Sequence, residues 1–132
     1  MIPAARYTTL LTYGVFDTMS VTDITLLRQL SNMGQELIVG CATDAFCDHA
    51  GTPCLMPFAQ RRRLLERNRY VSRVIAQDCW DQVRTDIVNY NVSALALADR
   101  PETCLKHLQD IAQVLYLPQK TAATPALQAL AS

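Results

Sequence analysis

Three groups of residues in this chain have types and spacings suited to chemistry. Gly14, Asp17, Ser20 and Asp23 share one short stretch that follows the apolar run Thr8 to Tyr13 (TTLLTY). A glycine there lets the backbone approach an anion, and the free N–H groups of a helix starting near Ser20 suit a phosphate. Asp17 and Asp23 could instead bracket a Mg²⁺ ion, but a hard cation usually needs more oxygen ligands than two. A cap on the helix is the better reading of Asp23. Arg61, Arg62, Arg63, Arg67, Arg69 and Arg73 form the second group. Arginine forks grip phosphates or acidic partners, whereas the plainer reading is a solvated helix face balanced by Glu66. Cys47, His49 and Cys54 form the third, at a spacing that fits no common zinc pattern, so no metal site is expected. His107 has no Ser or Cys partner at motif spacing and reads as a surface histidine.

These residues need a scaffold, and the chain alternates short apolar runs with helical patterns. Thr8 to Tyr13 is β-branched and apolar, as a buried strand should be. From Asp23 to Met33, Ile24, Leu27 and Leu30 share one face of a helix. Ser20 and Asp23 have the spacing of a capping box, and Gly34 is a natural stop. Strands are predicted at Leu37 to Ala42, Val71 to Ile75, Ala94 to Ala98 and Val114 to Leu117. Thr43 and Asp44 read as the cap of a short helical turn, and Cys47 to Pro57 as a loop. Helices are predicted from Pro57 to about Tyr70, Trp80 to Tyr90, around Glu102 to Leu108 and over Pro125 to Ala131. Such alternation implies an α/β fold: a Rossmann-like, doubly wound sheet of five parallel strands with helices on both faces. Ligands bind such sheets at the carboxyl ends of the strands, which draws attention to Gly14 to Asp23 and to Asp99 onward.

The 132 residues are expected to form one domain, 1–132. Lys+Arg and Asp+Glu balance at 12 each, which argues against nucleic acid or a membrane surface as partner. No signal-peptide core or spanning segment is visible, and Cys41, Cys47, Cys54, Cys79 and Cys104 form no CxxC pair. A cytoplasmic protein with free thiols is the expectation.

The run Thr12-Tyr13-Gly14-Val15-Phe16-Asp17 resembles the TYGTFD-type opening of the glycerol-3-phosphate cytidylyltransferases, in the wider nucleotidyltransferase superfamily. Ala42-Thr43-Asp44-Ala45-Phe46 is similar to that family's STDEF. Arg61 to Ile75 (RRRLLERNRYVSRVI) is similar to its R-x-L-x-L-E-x-x-R-Y-V-D-x-V-I segment. Trp80 stands where the family has a Trp, and Val114 to Pro118 matches its VVYLP strand.

The resemblance implies nucleotide contacts from Tyr13, Gly14, Phe16, Asp17, Arg61 and Asp99. It also implies attack of a substrate phosphate on the α-phosphate of CTP, with loss of pyrophosphate, in a homodimer. The protein's part in such a reaction is to position two anions and neutralise their charge. The family does so with an HxGH motif, a Lys after the second strand, an Arg on the next helix, and an RTxGISTT segment. Here Ser20-Val21-Thr22-Asp23 replaces HxGH, so the catalytic positions Ser20 and Asp23 carry no histidine. No Lys lies between Cys47 and Phe58, and Gln119 to Thr124 lacks the Arg of RTxGISTT. Of the charged set only Arg61 falls in place. Losing one preorganised donor typically costs about 10²–10³ in rate.

Three readings follow. One is a catalytically impaired relative that binds a CTP-like nucleotide or a protein partner in a regulatory or scaffold role. Another is a divergent nucleotidyltransferase making a CDP-polyol-type product with Asp17, Asp23, Arg61 and Lys120 around Mg²⁺. The third is an interaction module whose pocket is closed by Met19, Val21 and Met56.

Overall fold

A computed structural model describes residues 7–97, 108 and 110–116. The chain begins with strand β1 (Tyr7–Gly14), whose alternate side chains enter two separate cores. Leu10 packs with helix α1 (Val21–Met33) through Leu27 and Leu30, and all three are fully buried. Leu11 and Tyr13 point to the other face, against Val83 and Ile87 of helix α4 (Val83–Asn89). A strand buried on both faces explains why TTLLTY is continuously apolar or β-branched rather than alternating. Ile24, expected on the core face of α1, is 41% exposed because it sits in the first turn, beyond the sheet's cover.

Strand β2 (Gly34–Ala42) starts directly at the glycine that ends α1, three residues earlier than its apolar run suggests. Gly34 has extended angles, so helix passes to strand without a turn. Helix α2 (Asp44–His49) is capped by Thr43, whose hydroxyl accepts the Phe46 N–H. It carries Cys47 and His49, so the expected loop begins only after it. Helix α3 (Phe58–Glu66) stops short of Tyr70. Asn68 ends it: its side chain accepts the Tyr70 N–H and its carbonyl the Val71 N–H, a local turn that competes with the helix.

Strand β3 (Arg73–Gln77) lies two residues later than predicted. Ser72, just before it, donates its backbone N–H to the Leu37 carbonyl, and its hydroxyl accepts the Leu37 N–H. A short 3-10 turn, Trp80–Gln82, precedes α4, where one continuous helix was expected. Strands β4 (Ala94–Leu97) and β5 (Gln113–Tyr116) complete the sheet. The segments around Glu102 and Pro125, predicted as helices, lie outside the described residues.

All pairings are parallel, in the order β3-β2-β1-β4-β5. The α/β expectation of a five-stranded parallel sheet holds. With α1 and α3 on one core and α4 on the other, helices cover both faces. The strand order reverses between β1 and β4, so the carboxyl ends at Gly14 and Leu97 flank the crevice where such sheets bind ligands.

Candidate functional site

A cavity of about 390 Å³ opens at that crevice. Tyr13, Gly14, Val15, Phe16 and Asp17 form one wall, Asp23 and Leu26 of α1 another, and Ala42, Phe46, Gln77, Trp80 and Leu97 the rest. Trp80 meets the Tyr13 ring edge-on, with centroids 5.6 Å apart, and the Phe46 ring at 6.3 Å. The expected nucleotide-contact residues Tyr13, Gly14, Phe16 and Asp17 therefore stand together at this cavity, while Asp99 lies outside the described residues.

Gly14 leaves room for a ring. A Cβ there would stand 2.7 Å from an atom of Phe16, and one at Gly40 would strike the Tyr13 ring. The following loop is strained: Phe16, Thr18 and Met19 have φ of 53°, 67° and 47°. A left-handed conformation costs roughly 1–2 kcal/mol for each non-glycine residue. Asp17 helps to hold the loop, because its carboxylate accepts the N–H groups of Leu55 at 2.7 Å and Met56 at 3.0 Å. These bonds turn Asp17 toward the segment before α3.

Tyr13 donates its hydroxyl to Asp86 at 2.7 Å, and Gln82 donates to the same oxygen at 2.8 Å. Burial, reinforced by the Asp86 carboxylate, pushes the Tyr13 phenol far above its ordinary range. It acts as a neutral donor. Gln77 is almost wholly buried, and its Nε2 has no hydrogen-bond partner among the described residues. The residue lines the cavity, but this nitrogen is shielded from solvent.

Ser20 and Asp23 close the mouth of α1. Ser20 Oγ accepts the Asp23 N–H at 3.2 Å, and Asp23 Oδ2 accepts the Ser20 N–H at 3.2 Å. This is the capping box that the spacing predicts. It uses two of the N–H groups that otherwise face an anion, and it places a carboxylate among the rest.

Arg61 is fully buried. Its Nε donates to Met56 O at 2.9 Å, and its Nη1 to Val15 O at 2.9 Å and Ala42 O at 2.7 Å. Its Nη2 pairs with Asp44 at 2.8 Å. The guanidinium thus ties the loop after β1, the end of β2 and the start of α3 together from beneath the cavity. The other arginines of the run separate. Arg62 pairs with Glu66, Arg69 lies over Tyr70, and Arg73 lies over Tyr90. Arg62 and Arg73 share a second, open cleft of about 650 Å³ with Glu66, Ser72 and Tyr90, lined by none of the residues of the first cavity.

Asp44 was read from sequence only as a cap. Its carboxylate also accepts the Phe58 N–H at 3.1 Å, and that bond, with the Arg61 fork, holds its pKa below the ordinary value. A carboxylate depressed by folding stabilises the protein above its unfolded value, about 3.9. That contribution is lost as pH falls through the lower, folded value. Urea denaturation midpoints measured from pH 5 downward should therefore fall, and Asp44→Asn should start lower and fall less steeply.

Asp86 and Gln77 were not singled out from sequence. Asp86 interrupts the apolar face of α4 between Val83 and Ile87, which is the only signal it gives. None of Met19, Val21 and Met56, the residues expected to fill the pocket, lines the cavity, and Val21 is 80% exposed. Among the described residues no group of three or more His, Cys, Asp or Glu side chains gathers to hold a metal. No described helix is long and apolar enough to cross a membrane.

Comparison with known proteins adds to this geometry. A family model described as cytidylyltransferase-like matches residues 11–119. Glycerol-3-phosphate cytidylyltransferase of Bacillus subtilis is 32% identical over 109 residues, 83% of this chain and 84% of that protein. The protein of the same name from Staphylococcus aureus is 33% identical over 107 residues, 81% of each chain. The crystal structure of the lipopolysaccharide core biosynthesis protein from Thermoplasma volcanium superposes with a TM-score of 0.74. It shares 18% identity, covers 86% of this chain and 98% of its own, and shows the likeness of fold alone.

Proposed function

From the premise that the chain belongs to the cytidylyltransferase-like family, we propose that it is a catalytically impaired member that binds a nucleotide without transferring it. In this reading it serves a regulatory or scaffold role in the cytoplasm, as a homodimer, through that nucleotide or a protein partner. The observation that carries the reading is the Ser20–Asp23 capping box. It sets the protein's own carboxylate at the helix terminus where the family's motif holds phosphate. Arg61, the one matching cation, is committed to three carbonyls and Asp44.

What remains favours the uncharged half of a nucleotide. Trp80, Phe46 and Tyr13 offer it aromatic surface. Aromatic stacking contributes about 1–3 kcal/mol per base. Trp80 is the single tryptophan of the sequence, so its fluorescence reads the cavity alone. Titration with cytidine should change that emission saturably, and CTP should bind no more tightly than cytidine, with or without Mg²⁺. No response to either would favour an interaction module. A response only to CTP with Mg²⁺ would favour the divergent transferase.

A further inference from the structure

Cys47 on α2 and Cys54 in the following loop point at each other, with their sulfurs 2.9 Å apart. The chain returns between them through Gly51, whose φ of 79° suits glycine, and the Thr52 N–H donates to the Cys47 carbonyl at 2.9 Å. Two thiols already in contact on a closed turn need only a small movement to reach the bonded distance of about 2.05 Å. Cys47 is buried while Cys54 is partly exposed, so a small oxidant meets Cys54 first.

We infer that Cys47 and Cys54 form a thiol–disulfide exchange site that closes into a disulfide between α2 and the segment before α3. The co-reactant is a low-molecular-weight disulfide, RSSR. The Cys54 sulfur attacks one of its sulfurs, the RS–SR bond breaks, and RSH leaves with the Cys54 proton. The Cys47 sulfur then attacks the Cys54 side of the mixed disulfide, and a second RSH leaves with the Cys47 proton. The two cysteines are oxidised and RSSR is reduced to two thiols. Burial, with the neighbouring Cys54, pushes the Cys47 thiol up to about 12. Cys54 is therefore the first attacker, and the part of the rise due to Cys54 falls away once that sulfur is held in the mixed disulfide, which frees Cys47 for the second step.

The bond would join α2 to the segment that Asp17 and Arg61 hold. Leu55 and Met56 follow Cys54 and donate to Asp17, and Met56 accepts from Arg61. Phe46, next to Cys47, lines the cavity. Oxidation thus staples α2, whose Phe46 lines the cavity, to the segment that holds the Asp17 carboxylate.

The test treats the full-length protein with oxidised glutathione, blocks remaining thiols by alkylation, and maps the peptides by mass. The expected product is a Cys47–Cys54 peptide pair lighter by two hydrogens, unalkylated, and returned to two thiols by dithiothreitol. Hydrogen exchange at the Leu55 and Met56 amides should slow roughly tenfold in that form. Cys47→Ser should stop at a glutathione adduct on Cys54. If the unmutated protein keeps glutathione on Cys54, leaves Cys54 free, or pairs it with Cys41, Cys79 or Cys104, the inference fails. That readout does not depend on whether the Cys47→Ser variant folds.

Discussion

Arg61→Ala should lose most of the protein's stability. The substitution removes five hydrogen bonds, one of them to the Cys41 sulfur, leaves the Val15, Ala42 and Met56 carbonyls short of a donor, and strips Asp44 of its partner. Leaving an acceptor inside the protein without its donor costs about 1–3 kcal/mol per group. A domain of this kind has only about 5–15 kcal/mol in total. Asp44 is half exposed, which lowers its share of the loss, but the carbonyls are not rescued by that. Arg61→Lys should recover little, because one ammonium cannot reach the fork's separate acceptors. Urea denaturation followed by circular dichroism reads the effect. If Arg61 served a bound phosphate instead, the alanine variant would stay stable and lose only ligand affinity.

Asp23→Asn should act on the ligand instead and raise the cavity's affinity for phosphate. The side-chain oxygen can still accept the Ser20 N–H, so α1 keeps its cap and loses only the carboxylate's interaction with the helix dipole, a few tenths of a kcal/mol. A unit charge about 5 Å from a phosphate at an effective dielectric near 20 is worth roughly 3 kcal/mol. Solvent and salt reduce that to about 1–2 kcal/mol. CTP should then bind about tenfold more tightly than to the unmutated protein, while cytidine affinity stays unchanged. Equal tightening for both would trace the effect to the cavity's shape rather than its charge.

The sheet could be read from sequence because strands buried on both faces leave apolar runs such as Thr8 to Tyr13, and a glycine such as Gly34 marks where helix gives way to strand. The capping box was legible for the same reason: it rests on residues three apart. Element ends were less so. The stop of α3 depends on Asn68 choosing a local turn, and the start of β3 on Ser72 pairing with distant Leu37. The site divided along the same line. Its composition was visible in Tyr13 to Asp17, but the burial of Arg61 was not, since a run of arginines reads as a solvated face. Only the convergence of three carbonyls from remote segments makes that position an interior one. The Cys47–Cys54 contact escaped too, because α2 carries Cys47 where a loop was expected.

Pyrophosphate release from CTP and glycerol 3-phosphate, with Mg²⁺ and micromolar protein, tests most directly whether the helix mouth is closed to phosphate. With the carboxylate of Asp23 in place the expected rate equals that of a protein-free control. Release that scales with protein concentration and disappears in Asp23→Ala would contradict the account and make Asp23 part of a working transferase site.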